Sequence, residues 1–258
     1  MTVDYHIHTK FSDGKSGHKD SIFAAQEQGL DEIGFSDHFS IVPTEWTTSE
    51  NEISRLKETM KEIKDSKDLP LKVKFGAEID YITGKEEKIK SIIDQLPLDY
   101  VIGSVHFIKG WNFDTDPEGF DKANIDILYK KYYQLLEQSI SSNLFDIVGH
   151  ADLIKKFGHM PMKDPRAYFK KVLKAMKEKN KTYELNTSGL NKPCQEFYPS
   201  RSFIEMAFKE NVPVTLGSDA HHENDIAQYF PEAIKMLKEI GYRKIATFHN
   251  RKRKLEPL

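Results

Sequence analysis

The sequence has little of several features that would place it in other classes of protein. Its 258 residues include one cysteine, Cys194, so no internal disulfide can form, and histidine and carboxylate side chains are the expected ligands for a metal. The 38 basic and 40 acidic residues leave a formal net charge of −2, which provides no basic field for a nucleic acid. Apolar runs are short, and the start MTVDYHIH lacks a basic, apolar leader. These absences favour a cytoplasmic protein with neither a nucleic acid nor a membrane as partner.

No Gly/Ser/Pro-rich linker or charge block divides the chain, so residues 1–258 are predicted to form a single domain. Short β-rich segments alternate with polar segments of helical periodicity, which is typical of βα units around a parallel sheet. The predicted strands are 3–8, 32–38, 72–79, 100–107, 145–152, 182–188 and 213–221, with a short eighth at 244–250. Such an α/β chain matches a TIM-like barrel, whose active site lies at the C-terminal ends of the strands.

Most of the histidines fall at the ends of these predicted strands. They are His6, His8, His38, His106, His150 and His221, and the carboxylates Glu78 and Asp219 lie at the same level. In a barrel this places six imidazoles and two carboxylates around one mouth. His6 and His8 are two residues apart on a strand, so both side chains point to the same face. Crowded imidazoles and carboxylates are costly without cations, and mixed nitrogen and oxygen ligation suits Zn, Mn or Fe. A multinuclear site is predicted.

Six short motifs carry a resemblance to a known family. HIHT at 6–9, SDH at 36–38, GAE at 76–78, SVH at 104–106, GHAD at 149–152 and GSDAH at 217–221 resemble the polymerase and histidinol phosphatase (PHP) family of metal-dependent phosphoesterases. The segments at 103–114, 149–157 and 184–193 are similar to the histidinol-phosphatase branch. The resemblance spans nearly the whole chain and implies a distorted (β/α)7 barrel with two to three divalent transition metals.

The resemblance also implies a ligand set. The first metal would be held by His6, His8, Glu78 and Asp219, and the second by Glu78, His106 and His150. His38 and His221 would hold a third, with one further ligand from the loop after the first strand. Many relatives carry a histidine at the position of Gly14, so Asp13 or His18 is expected to supply that ligand here.

The chemistry expected of such a cluster is phosphoryl hydrolysis. Two cations that share a carboxylate can hold a bridging hydroxide at neutral pH, and this hydroxide is the expected nucleophile. Glu78, Asp219 and His221 are therefore the candidate catalytic residues. Asp37 and Asp152 are candidates for orienting nearby imidazoles, with a capping or surface role as the alternative for each.

Substrate contacts are expected from the loops at the same end of the strands. In relatives of this branch an arginine often follows a Gly-Leu pair, whereas this chain has Asn191 there and a lysine next. The candidate phosphate contacts are Lys192, Lys155, Lys156 and Ser188. Trp111 and Phe113 are candidates for covering a substrate ring, with local packing as the alternative. Cys194 is interpreted as structural, because a metal-activated hydroxide makes a thiol nucleophile unnecessary.

Through the resemblance, the expected function is hydrolysis of L-histidinol phosphate to L-histidinol and phosphate by a phosphomonoesterase. The partner is then a small phosphorylated metabolite, and the oligomeric state stays open. The first alternative is a PHP phosphoesterase that acts on another small phosphorylated metabolite. Exonuclease activity is disfavoured by the near-neutral charge. A noncatalytic metal-binding module is the alternative from a different class, and metal-dependent turnover would exclude it.

Overall fold

The computed structural model describes residues 1–42 and 44–258. The strands are β1 (Val3–Asp4), β2 (Glu32–Phe35), β3 (His38–Phe39), β4 (Lys72–Phe75), β5 (Glu78–Asp80), β6 (Ile102–Ser104), β7 (Phe107–Ile108), β8 (Trp111–Asn112), β9 (Ile147–Val148), β10 (Thr182–Asn186), β11 (Val214–Gly217), β12 (Lys244–His249) and β13 (Lys252–Pro257). The helices are α1 (His18–Glu27), α2 (Glu50–Asp65), α3 (Glu86–Asp94), α4 (Glu118–Asp121), α5 (Ile125–Ser141), α6 (Arg166–Glu178), α7 (Arg201–Lys209) and α8 (Phe230–Ile240).

Two parallel sheets form the centre of the fold. One contains β1, β2 and β4 in that order, and the other contains β11, β10, β9, β6, β5 and β3. Every strand pair within them is parallel. Helices connect many of the successive strands, as parallel pairing requires. The expected α/β architecture with a parallel sheet is confirmed.

The second and third predicted strands are each divided between the two sheets, at residues 36–37 and 76–77. At the second break, a Cβ atom on Gly76 would overlap the ring of Tyr100. The Tyr100 hydroxyl donates a hydrogen bond to the backbone oxygen of Tyr5 at 2.7 Å. A glycine is therefore needed where this buried ring passes between strands.

Helix α5 shows how the outer helices cover the sheets. Leu128, Tyr132, Leu136 and Ile140 are buried in this helix, and they recur at the spacing of one helical face. Its N-terminus is capped by Asn124, whose side chain accepts a hydrogen bond from the backbone N–H of Ile127 at 3.1 Å. Sequence periodicity and capping therefore account for this helix without reference to the site.

The C-terminal segment forms an antiparallel hairpin of β12 and β13, outside the parallel sheets. The eighth predicted strand corresponds to β12, whereas β13 was missed. Two basic residues of this segment contact other parts of the chain. Arg251 forms an ion pair with Asp146, and Arg253 donates to the backbone oxygen of Asn180 at 2.9 Å. These contacts attach the hairpin to the body of the protein.

Candidate metal centre

Glu78 lies at the centre of the predicted cluster and is only 1% exposed. Its Oε2 atom is 2.9 Å from His38 Nδ1 and 3.1 Å from His6 Nε2. Its Oε1 atom is 2.8 Å from His150 Nε2 and accepts a hydrogen bond from Ser104 Oγ at 2.5 Å. One carboxylate therefore faces imidazoles from several strands with both of its oxygens.

The candidate ligands form four overlapping groups, and the ligand atoms of each group lie within 4.8 Å of one another. The groups are His6, His8 and Glu78; Glu78, His106 and His150; His6, His150 and Asp219; and His8, Asp13, His38 and His221. The structure thus brings together every predicted metal ligand except His18. Because the groups share members, they form one extended centre at the C-terminal ends of the parallel strands.

Asp13 is the residue that the loop after the first strand contributes to this centre. Its Oδ2 atom is 3.2 Å from His221 Nε2, and its Oδ1 atom is 3.8 Å from His38 Nε2. The next residue, Gly14, has no room for a side chain, because a Cβ atom there would overlap the backbone of His8. The tight turn therefore excludes a histidine at position 14 and presents Asp13 instead.

His18 is not part of the centre, so its inclusion among the candidate ligands is corrected. Its imidazole lies in the core with its ring centroid 4.4 Å from that of Phe35, 5.7 Å from Phe11 and 5.8 Å from Phe75. Burial lowers the pKa of His18 to about 4. Helix α1 begins at this residue and directs its side chain inward against these aromatic rings.

Asp219 joins the metal ligands to the loop after β10. Its Oδ1 atom is 3.3 Å from His8 Nε2. Its Oδ2 atom accepts hydrogen bonds from Asn186 Nδ2 and from the hydroxyl of Ser188, each at 3.2 Å. The Asp219 backbone has a φ of +56°, an uncommon conformation for a residue with a side chain. Ser188, a predicted substrate contact, is thus held beside a predicted ligand.

Several buried polar atoms of the candidate ligands are suited to bind cations. Among the described residues, His6 Nε2, His8 Nε2 and Glu78 Oε2 are buried and lack a hydrogen-bond partner. Buried polar atoms without partners carry a large free-energy cost, which metal coordination removes. These three atoms belong to one ligand group. Their convergence is therefore explained by a cation.

The charge states of His8 and Glu78 also suit cations. Burial, together with the neighbouring imidazoles of His38 and His221, lowers the pKa of His8 to about 3. Burial alone would raise the pKa of Glu78, but the imidazoles of His38 and His6 hold it well below its ordinary value. A neutral imidazole and an ionised carboxylate are the forms that bind a divalent metal.

Asp37 and Asp152 were the carboxylates expected to orient imidazoles, but in the structure a different carboxylate does so. Asp37 accepts hydrogen bonds from the backbone N–H of Thr9 and the hydroxyl of Ser12, both at 2.7 Å, so it supports the loop that carries Asp13. Asp80 instead lies 2.6 Å from His106 Nδ1. Asp80 stands two residues after Glu78 on the same strand, and this same-face spacing could have identified it.

A cavity of about 370 Å³ opens over the centre. The residues that line it are Asp13, His38, Trp46, Glu78, His106, Asp114, Thr115, His150, Leu153, Lys156, Ser188, Lys192, Tyr198, Asp219 and His221. Three of the four predicted substrate contacts, Lys156, Lys192 and Ser188, are among them. The cavity is large enough for a small metabolite.

Lys155 does not line the cavity, so its expected contact with phosphate is corrected. Its side chain is 2% exposed, and its Nζ atom is 3.1 Å from Asp152 Oδ2 and 2.8 Å from Glu196 Oε2. It also donates to the backbone oxygen of Phe197 at 2.8 Å. Lys155 therefore ties the turn after β9 to the loop after β10. Asp152 pairs with this lysine rather than with an imidazole.

The PHP domain family model matches residues 4–188. This chain belongs to the PHP-domain family. The matched part contains the strands from β1 to β10 and every candidate ligand except Asp219 and His221. Five of the six motifs lie within the matched part, and the predicted family is confirmed.

Two curated relatives of this PHP-domain chain carry the name histidinol-phosphatase. A Deinococcus radiodurans protein named "Probable histidinol-phosphatase" is 33% identical over 96% of this chain and 97% of its own length. The histidinol-phosphatase of Lactococcus lactis is 28% identical over 97% of this chain and 95% of its own length. A solved structure of histidinol phosphate phosphatase from Lactococcus lactis, complexed with zinc, L-histidinol and phosphate, has a TM-score of 0.82 and 24% identity, with 98% of each chain covered. That structural likeness concerns the fold.

Trp111 and Phe113, which were expected to cover a substrate ring in this PHP domain, do not line the cavity. Phe113 is fully buried, and Trp111 packs on Phe120 with a ring-centroid distance of 5.0 Å. Trp46 lines the cavity instead, with its ring 4.6 Å from that of His38 and close to perpendicular to it. No periodic signal marks Trp46, because it lies in an irregular loop after β3.

Among the helices of the described residues, none combines the length and the apolar character needed to cross a lipid bilayer.

Proposed function

We propose that this protein is a metal-dependent phosphomonoesterase that hydrolyses L-histidinol phosphate to L-histidinol and phosphate. The observation that carries the proposal is the set of four overlapping ligand groups around Glu78 at the base of a cavity with two lysines. The curated relatives named as histidinol-phosphatases match over nearly their whole lengths, which supports the same substrate here.

Two to three divalent transition metals, with Zn, Mn or Fe as the candidates, would be held by the four groups. When bound, such cations polarise phosphoryl oxygens and make water available as a nucleophile at neutral pH. Glu78 belongs to two of the groups and is proposed to keep the first two cations adjacent. Asp13, His38 and His221 are proposed to hold the third, together with the nearby His8.

Asp219 and His221 contribute to catalysis through their positions at the cavity wall. The side chain of His221 is 38% exposed, and its Nδ1 donates to the backbone oxygen of Asp219 at 3.0 Å. This contact leaves His221 Nε2 directed at Asp13, which belongs to the same ligand group. The Asp219 carboxylate accepts a hydrogen bond from Ser188, which attaches the loop after β10 to the ligand set.

The substrate phosphate is proposed to meet Lys192 and Ser188. Lys156 Nζ is already 2.7 Å from Asp114 Oδ1, whereas Lys192 enters none of the ion pairs found among residues 1–42 and 44–258. Asn191, where relatives carry arginine, donates to Gln228 Oε1 and accepts from the Tyr229 hydroxyl, both at 2.6 Å. The cation for phosphate is thus one residue further along the chain.

The seven strands of the expected barrel are proposed to close into one ring. The support is the contact between the first and last parallel strands, where Ile7 and Ala220 form a parallel bridge. Tyr5 N–H donates to the Leu216 oxygen at 3.1 Å, and His8 N–H donates to the Ala220 oxygen at 2.9 Å.

We further propose that residues 1–258 form one domain in the cytoplasm, where a chain with one cysteine stays reduced.

The proposal is tested by assaying metal-reconstituted protein against a panel of phosphomonoesters, with elemental analysis of the same sample. We expect the highest kcat/KM for L-histidinol phosphate. A tenfold or greater preference for an unrelated monoester would assign the protein to another small phosphorylated metabolite, the alternative function. Metal binding without any turnover would support a noncatalytic module.

A further inference from the structure

Glu184, on β10, is a buried carboxylate that none of the steps above uses. It is 1% exposed. Its Oε1 atom is 2.6 Å from His6 Nδ1, on the side of the imidazole opposite to the nitrogen that faces Glu78. Its Oε2 atom accepts hydrogen bonds from the backbone N–H of His150 at 2.8 Å and from Asn186 Nδ2 at 3.2 Å. The two oxygens thus contact two different candidate ligands.

We propose that Glu184 is a positioning residue that orients His6 and His150 together, and so sets the affinity of the centre for its metals. The inference rests on the proposed function only in requiring a metal centre. His6 and His150 stand in different ligand groups around Glu78, as well as together in the group with Asp219. A single carboxylate behind both histidines therefore acts on more than one cation site.

The contact with His6 selects its tautomer. An imidazole that binds a metal through Nε2 must offer a lone pair there, so its proton must be on Nδ1. A carboxylate that accepts from Nδ1 stabilises that tautomer and fixes the ring, as carboxylates behind metal-binding histidines commonly do. Glu184 is in place for this, and His6 Nε2 then faces Glu78 and Asp219.

The contact with His150 acts on the backbone. His150 has a φ of +22°, a conformation that residues with side chains rarely adopt. Its N–H bond to Glu184 holds the peptide in this conformation, and His150 Nε2 then lies 2.8 Å from Glu78 Oε1. Loss of the acceptor would free the turn that carries the imidazole.

The neighbouring strand β11 is shaped around this carboxylate. A Cβ atom on Gly217 would overlap Glu184 Oε1 and lie 2.7 Å from His6 Cβ. Gly217 is paired in register with Asn186, which itself donates to Glu184. A side chain at position 217 would therefore push the carboxylate away from His6.

Glutamine cannot replace Glu184 without losing one of these contacts. The carboxylate accepts at both oxygens, whereas an amide has one acceptor and one donor group. His150 N–H and Asn186 Nδ2 both require an acceptor at the Oε2 position, so the amide NH2 would face His6 Nδ1. Nδ1 must then accept, and the proton moves to Nε2, where it blocks metal binding.

The test compares Glu184→Gln with Glu32→Gln in full-length protein reconstituted with zinc. Glu32 is a matched control, because it is also a buried glutamate, on β2, but it bonds to the Tyr5 hydroxyl rather than to a metal ligand. Zinc affinity is measured by competition with a chromophoric chelator, and the cobalt-loaded proteins are compared by visible absorption. We expect Glu184→Gln to bind zinc about 10- to 100-fold more weakly with an altered cobalt spectrum, and Glu32→Gln to match the parent.

A Glu184→Gln protein with parental zinc affinity and cobalt spectrum overturns the inference, even if its metal-free form is less stable, since that result describes a purely structural residue. If Glu184→Gln does not fold, Glu184→Asp tests the same prediction, because it keeps two acceptor oxygens but withdraws them from His6 Nδ1 and the His150 N–H. A parent that binds zinc and does not hydrolyse L-histidinol phosphate refutes the proposed function alone, because the affinities still decide the role of Glu184. A parent that binds no zinc refutes both.

Discussion

His38 and Glu78 are direct partners in adjacent parallel strands, and His38 Nδ1 lies 2.9 Å from Glu78 Oε2. Their strands are β3 and β5, the short continuations of two strands that begin in the other sheet. The passage from one sheet to the other thus brings His38, from the group that contains Asp13 and His221, to the carboxylate shared by two of the other three groups. This relationship makes Glu78 the residue whose change has the broadest effect.

Glu78→Gln should abolish most turnover while leaving KM for L-histidinol phosphate little changed. The change keeps the shape but removes the charge that holds adjacent cations together, so kcat should fall by more than about 100-fold, beyond the usual loss for a residue behind the ligands. Steady-state kinetics and elemental analysis measure both effects, with the exposed Glu58→Gln as control. Near-normal turnover with full metal content would refute the shared role.

Chelation should abolish hydrolysis, and readdition of zinc or manganese should restore it. The ligands at the strand ends must be deprotonated to bind cations, and the cations offset the cost of their burial. Elemental analysis of reconstituted protein should give two to three ions per chain, as the overlapping ligand groups allow. Less than about one ion per chain would contradict a multinuclear centre.

Lys192→Ala should lower kcat/KM for L-histidinol phosphate. The loss of transition-state stabilisation should be about 1.5–3 kcal/mol, the range for hydrogen bonds to charged groups. Metal content should stay unchanged, because Lys192 belongs to none of the ligand groups. Lys209→Ala, an exposed lysine on α7, serves as the matched control. Parental kcat/KM in Lys192→Ala would show that this lysine makes no contact with the phosphate.

Lys155→Met should destabilise the protein without a direct effect on phosphate binding. The change keeps the apolar stem but leaves the buried Asp152 without its cation, a loss of about 3 kcal/mol for a buried pair. Urea denaturation of metal-loaded protein measures this loss, and KM is measured at a temperature where the variant is folded. Parental stability together with a raised KM would restore the original expectation for Lys155.

His18→Phe should make stability less dependent on pH and leave metal content intact. The folded pKa of His18 is about 4, below its ordinary value, so between pH 6.5 and 4 only the unfolded chain binds this proton. The parent should therefore lose up to about 3 kcal/mol through this group as the pH falls across that window. Urea titrations of both metal-free proteins at several pH values give the difference. Parallel curves would contradict the buried, neutral state, and lost metal would make His18 a ligand.

Local patterns in the sequence predicted the parallel α/β fold and nearly all the residues that the structure brings together in the four candidate ligand groups. The alternation of side chains along strands and the periodicity of helices depend on neighbouring residues, and so do the strand ends. Segments such as α5 can therefore be predicted from the sequence. Metal ligands are restricted to a few residue types, which made the strand-end histidines conspicuous. Family motifs then added the shared role of Glu78.

Only the tertiary structure decided which side chains meet across distant segments. Glu184 and His6 are 178 residues apart, and no local spacing relates them. Asp13 replaced His18 because a tight turn and an inward-facing helix direct neighbouring residues to different places. Lys155 and Lys156 are adjacent, yet one is buried in an ion pair and the other lines the cavity. The period of a sequence pattern determines which side chains share one face of a helix or strand. Loop conformation and packing between strands determine which distant residues those side chains contact.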